Sequence, residues 1–302
     1  MASAAPPPNV KPKPTPTDQV VPGALTRHSY VAQSLSGLAD LRLKQKKNDE
    51  AIELYEKALS IQIEVNGPRH GIVAGTLSEI ASAYIAQSNW TKAAYYSRAA
   101  ADILVDRTLM GWGGSSRTLV GEAKSDAERS PWRFIRLAKV AFRIAESNNS
   151  QQSKTAEEMF VIAQWAMISK VAASMSQMAV RRAVAQSELS SLVRNRQDLF
   201  AEWQRLDLSR IAMMAEPRSE QNTVERVRNL ERLADLKTRI GDIDGRLTRE
   251  FPDFSSLARP EPITIRDVQK LLPVNDVLVV MLASGAETSL PGETLIWAVT
   301  RT

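Results

Sequence analysis

Two stretches of this chain repeat one another at a fixed distance. In "AIELYEKALS" and "KAAYYSRAAA" the small residues Ala51 and Ala93 occupy equivalent places, with forty-two positions between them. The same offset carries Leu35 onto Leu77, Leu38 onto Ile80, Ala39 onto Ala81 and Ala58 onto Ala100. Within each copy the apolar residues recur at three- and four-residue intervals, the spacing of one face of an α-helix. Small residues fall where two helices must approach closely, and large ones fill the space between. A repeat of this length is a supersecondary unit that cannot bury its apolar face alone, so the copies must stack into a helical array. Residues 29–106 are therefore read as two helix pairs. The first has Leu35, Leu38 and Leu41 on one helix and Ala51, Leu54, Tyr55 and Ala58 on the other, joined at "KKND".

Either side of this block the pattern changes. Residues 1–24 hold seven prolines and no periodicity, which predicts a disordered, polyproline-like tail. Residues 107–131 carry the glycines of "GWGGSSR" and predict a loop; the segment lacks the spacing and the Lys-Ser/Thr of a phosphate cradle. Residues 132–186 predict a degenerate helix pair and a connecting helix, with Ala156, Phe160 and Ala163 in second-helix positions and "SNNSQQSK" as the turn. In 187–250, Leu189, Leu192, Arg196, Leu199, Trp203 and Leu206 follow heptad spacing, as do Leu233, Leu236, Ile240, Ile243 and Leu247. With Pro217 between them, the two runs predict a long antiparallel helical hairpin, and Gly241 and Gly245 point to close packing or a bend. Residues 251–302 predict a proline-rich linker, a short helix capped by Thr264 with Asp267, and strands at Val277–Leu282 and Leu295–Thr300. Two strands and one helix cannot cover the faces of a sheet, so an α/β unit opens here without its remaining strands.

Composition removes several functions. The chain has 302 residues and no cysteine, which excludes disulfides, thiolate metal sites and a cysteine nucleophile of its own. With only His28 and His70, a histidine zinc cluster or a catalytic triad is not expected; His70 is assigned to the turn between repeats. No metal or cofactor site is read from the residues. No apolar run reaches the length of a membrane span and the N-terminus has no signal-peptide core, so the default compartment is the cytoplasm. A net charge of +5 is spread among acids: Arg181, Arg182, Arg194, Arg196 and Arg205 stand beside Glu188, Asp198, Glu202 and Asp207 with no stacking platform, so nucleic acid is not the expected partner.

The small-large pattern of the repeats, with "GPRHGIVAGTL" between them, resembles tetratricopeptide repeats of the longer kinesin-light-chain type. Gly71 stands where that type has proline. The resemblance implies a concave groove made by the first helix of each pair, which accepts a protein or peptide. Its groove-facing positions would include Ser36, Asp40, Leu43, Ser78, Ser82 and Ile85, which offer no basic clamp for a carboxylate; the alternative is a solvated surface at each. A second resemblance rests on "AEEMFVIAQWA", "LVRNRQDLFAEWQRLD", "FPDFSSLARPEPITIRDVQKLLPVNDVLVVML" and "GETLIWAVTRT". Together they look like bacterial proteins that join tetratricopeptide repeats to a caspase-like CHAT domain. That family implies a cysteine peptidase with a His-Cys dyad on later strands, positions that this chain does not contain. The expected fold is thus mainly α, with repeats, a long hairpin and the first strands of an incomplete caspase-like domain. The expected function is a non-catalytic interaction scaffold. One alternative is part of a peptidase completed downstream or by another polypeptide; another is a chain cut short before its remaining strands.

Overall fold

The computed structural model describes residues 24–111, 130–147, 152–167, 178–179, 183, 187–215, 220–259, 261–287 and 290–301, with side chains described from residue 30 except at 152, 210–215 and 220–223. The proline-rich tail, most of the 107–131 segment, the centre of the "SNNSQQSK" turn and Pro217 lie outside these residues.

The repeat block folds as read. Helices α1 (Ala24–Lys44) and α2 (Asn48–Asn66) form one antiparallel pair, and α3 (Gly71–Ala86) and α4 (Trp90–Met110) the next. The forty-two-residue period is visible in the backbone itself. Lys46 (φ 61) and Ser88 (φ 56) both take the left-handed conformation that ends a helix. Lys47 donates to the Arg42 carbonyl and Lys46 to that of Leu43, both at 2.9 Å; Asn89 and Ser88 repeat this onto Tyr84 and Ile85 at the same 2.9 Å. The alanines Ala39, Ala51, Ala58, Ala81, Ala93 and Ala100 are all buried. Leu38 and Ile80 share a repeat position but differ in fate: Ile80 is 0 % exposed and Leu38 40 %. Ile80 has α2 before it, whereas no helix pair precedes α1 among the described residues. Leu41 is exposed for the same reason and Leu35 is half-buried, so the expected apolar face of α1 is only partly a core face.

A third pair follows, α5 (Pro131–Ser147) and α6 (Gln152–Ala166), stacked on α4. Phe134, Leu137, Ala138 and Ala141 of α5 join Phe160, Ala163 and Trp165 of α6 in the main core. Helix α4 runs to Met110, four residues into the segment read as loop, and Gly111 caps it.

Helices α7 (Ser187–Ala215) and α8 (Glu220–Glu250) pack as a long hairpin. Its direction is fixed by ion pairs: Glu202 meets Arg232, and Arg196, nearer the start of α7, meets Asp244, nearer the end of α8. At 1.5 Å per residue each helix is about 45 Å long. The close packing expected at Gly241 is not found: nothing lies within 4 Å of where its Cβ would stand. Gly245 would meet only the Arg249 side chain, at 3.3 Å. Ala179 and Ala183, described parts of the stretch before α7, are buried with the hairpin.

The stretch read as a proline-rich linker contains a helix, α9 (Pro252–Ala258). Pro252 sits in its first turn, where the missing N–H costs nothing, and Phe254 and Ala258 fall on one face against the hairpin. Helix α10 (Ile265–Leu271) opens on the expected capping box between Thr264 and Asp267. Strands β1 (Val277–Ser284) and β2 (Glu293–Thr300) pair antiparallel, Val280 opposite Trp297 and Met281 opposite Ile296. The inner face of this sheet, with Leu282, Trp297 and Val299, is buried against the repeats, Trp297 lying 6.3 Å from Phe160. The expectation that neither face could be covered is therefore corrected for one face: the helical array supplies the missing layer. On the other face Val277, Val279, Met281 and Ile296 are more than half exposed.

Candidate peptide-binding groove

The first helices of the three pairs, α1, α3 and α5, line one side of the array, and every groove residue read from the sequence lies on α1 or α3. Ser78 and Ser82 come together one helical turn apart: the Ser82 hydroxyl donates to the Ser78 carbonyl at 2.9 Å. Leu43 and Ile85 meet in one apolar cluster with Ile80, Tyr84 and Val140, where Ile85 is buried and Leu43 half-buried. Asp40 is exposed and accepts a short hydrogen bond from the buried Tyr55 hydroxyl. Burial and the Asp40 carboxylate together push the Tyr55 phenol far above its ordinary range, so it stays a donor. Ser36 is half-buried and its hydroxyl has no hydrogen-bond partner in the structure.

None of the six positions is basic, but three cations stand beside them on α5. Arg136, Lys139 and Arg143 occupy one face of α5, spaced three and four residues apart. Arg136 donates from Nη1 to the Ser82 hydroxyl and, at 3.2 Å, to the Ser78 carbonyl. Its guanidinium also lies 4.6 Å above the Trp132 ring. Glu79 stands close enough to feel Arg136 and Asp40: burial raises its carboxyl above the ordinary glutamate range, with Arg136 acting in the opposite direction. Lys139 is 0 % exposed, and burial lowers its ammonium below the usual lysine range. The signal was present in "WRFIRLAKVAFR", whose basic residues have helical spacing. It was missed because the third pair was aligned only on its second helix.

The strands reach this face as well. Arg136 pairs with Glu287 at 2.9 Å, Lys139 donates to the Gly285 carbonyl at 3.1 Å, and Arg143 pairs with Glu293. Leu290 is 2 % exposed and belongs to the apolar cluster of Ile80, Tyr84 and Val140.

A second concavity, of about 180 Å³, lies between the array and the hairpin and is lined by His70, Asp106, Arg107, Trp203, Asp207 and Lys237. Its charges satisfy one another. Asp106 accepts from Lys237 at 2.8 Å and Arg69 at 3.2 Å, and Asp207 from Arg107 at 3.1 Å. Burial opposes the ionised Asp106, yet Lys237 and Arg69 outweigh it and hold the carboxyl below the ordinary aspartate range. His70 caps α3, Nδ1 accepting from the Ile72 N–H at 3.2 Å, as its assignment to the turn implies. Among the described residues no group of His, Cys, Asp and Glu could hold a metal ion. Arg196, at a heptad position of the hairpin, is 1 % exposed and paired with Asp244.

Residues 30–104 match the tetratricopeptide repeat family, so the chain contains tetratricopeptide repeats. No curated protein and no solved structure matches the chain. No described helix is long and apolar enough to cross a membrane.

Proposed function

We propose that this chain is a non-catalytic protein-interaction scaffold whose repeat groove accepts a peptide segment of a partner. Tetratricopeptide repeats generally mediate contacts between proteins, and the family match lies on α1 to α4. One observation carries the reading: α1, α3 and α5 set a cationic clamp, Arg136 over Ser78 and Ser82, beside an apolar cluster containing Ile85. A charge held next to an apolar recess is the usual form of a peptide anchor. Peptides selected by display on the intact chain should lose affinity at least about tenfold, the equivalent of about 1.4 kcal/mol, on Arg136→Ala. Selected peptides that bind Arg136→Ala unchanged would place the interaction elsewhere.

The second reading follows from the sheet. A face with Val277, Val279, Met281 and Ile296 more than half exposed asks for a covering layer. Together with the resemblance to CHAT proteins, this supports a scaffold joined to a caspase-like fold. With no cysteine in the chain, thiolate chemistry would have to come from further residues or another polypeptide. Intact mass of the native protein tests it. A product well above 33.4 kDa, or a tightly bound cysteine-bearing partner, would support it, and a lone chain of 33.4 kDa would end it.

A further inference from the structure

Residues that connect β1 to β2 pack on the candidate groove face of α3 and α5. Antiparallel pairing of β1 and β2 closes at Ser284 and Glu293, where the Ser284 hydroxyl donates to the Glu293 carbonyl at 2.9 Å and accepts from its N–H at 3.2 Å. Two residues suffice to join such strands. Here Gly285 and Glu287, and Leu290 on the return, lie past the last pair and reach the repeats. Glu287 and Leu290 bond to each other through both main-chain pairs, at 2.8 and 3.2 Å, which places their side chains on the same side. From there the Glu287 carboxylate meets Arg136 on α5 at 2.9 Å, and Leu290 enters the cluster formed by Ile80 and Tyr84 of α3 and Val140 of α5. Lys139 on the Gly285 carbonyl and Arg143 on Glu293 fix the two ends.

We infer that the Glu287–Leu290 pair is a resident ligand of the repeat groove, and that the protein partner recognised there presents the same pair, a carboxylate and a leucine side by side. The inference rests on the concave face being the binding surface. The resident loop specifies the chemistry. A carboxylate is required because Arg136, held by Ser78 and Ser82, pairs with that of Glu287, and a branched apolar side chain is required because Leu290 fills the recess lined by Ile80, Tyr84 and Val140. A partner must displace the loop, so its apparent affinity is lowered by the fraction of molecules in which the groove is filled.

The test uses the intact chain and a cyclised, fluorescently labelled peptide with the sequence of residues 284–293. Binding to Glu287→Ala/Leu290→Ala should be at least about tenfold tighter than to the native chain, and adding Arg136→Ala should abolish it. Equal binding to the native and double-substituted chains would overturn the inference, because the peptide would then not compete with the loop. No binding to a folded double variant that still takes display-selected peptides would overturn it while leaving the scaffold reading intact. A folded double variant that binds no peptide of any sequence would remove both. Should circular dichroism show the double variant unfolded, Glu287→Lys keeps Leu290 and reverses only the charge: tighter peptide binding supports the inference, and unchanged binding overturns it.

Discussion

Arg196 ties the hairpin to the array. It sits at a heptad position of α7, 1 % exposed, with Nη2 3.1 Å from Asp244 and 3.1 Å from the Met110 carbonyl at the end of α4. Removing one partner of a buried pair leaves the other desolvated and unpaired. Arg196→Ala should therefore lower stability by about 3 kcal/mol in urea unfolding, and Arg196→Met paired with Asp244→Leu should lose much less. Glu79 gives a different signature. Its carboxyl is raised in the folded chain, so the stability it contributes is complete below the ordinary glutamate pKa and is lost as pH climbs through the raised value. Glu79→Gln should match the native chain near pH 4 and become progressively more stable than it toward pH 7, as read from melting curves across that range. Neither role was legible from spacing. The heptad pattern placed Arg196 correctly on the hairpin, but only the fold brings the carbonyls of α4 beneath it. The helices α1 and α3 were legible because the repeat is regular there. Arg136 was not, because the third pair breaks the period.

The helices of the array were the most legible elements, since each repeats the small-large pattern and the same turn. That turn carries a small defect. Ser88 holds a left-handed conformation that glycine adopts without cost, and Ser88→Gly should raise stability by roughly 0.5 kcal/mol. Gly241 is the converse, a glycine inside α8 with open space around its Cα, and Gly241→Ala should raise stability by about 0.5–1 kcal/mol. Thermal unfolding of both variants checks this; a loss at Gly241→Ala would mean that a bend in α8 requires the glycine. Helix α9 lies within the stretch that reads as a proline-rich linker, because proline in a first turn is compatible with a helix as well as with a linker.

At the level of the whole molecule, the hairpin and the array are joined by contacts of α4, of the turn before α3 and of α1 with α7. Arg196 reaches the carbonyls of Leu109 and Met110, Arg107 reaches Asp207, and Asp106 accepts from Lys237. These predict one cooperative transition for the native chain. Arg107→Ala combined with Arg196→Ala should split it in two, with the hairpin losing its hydrogen-exchange protection first. The sheet ties the far end of the sequence to the middle of the array, and this has a consequence in time. Leu290 completes a cluster whose other members include Ile80, Tyr84 and Val140, so on the ribosome the helices of the groove are made long before their cover. At roughly 5–20 residues per second the apolar recess stays open for on the order of ten seconds, a span in which a chaperone or a partner can reach it first. Whichever ligand arrives during synthesis meets no competitor.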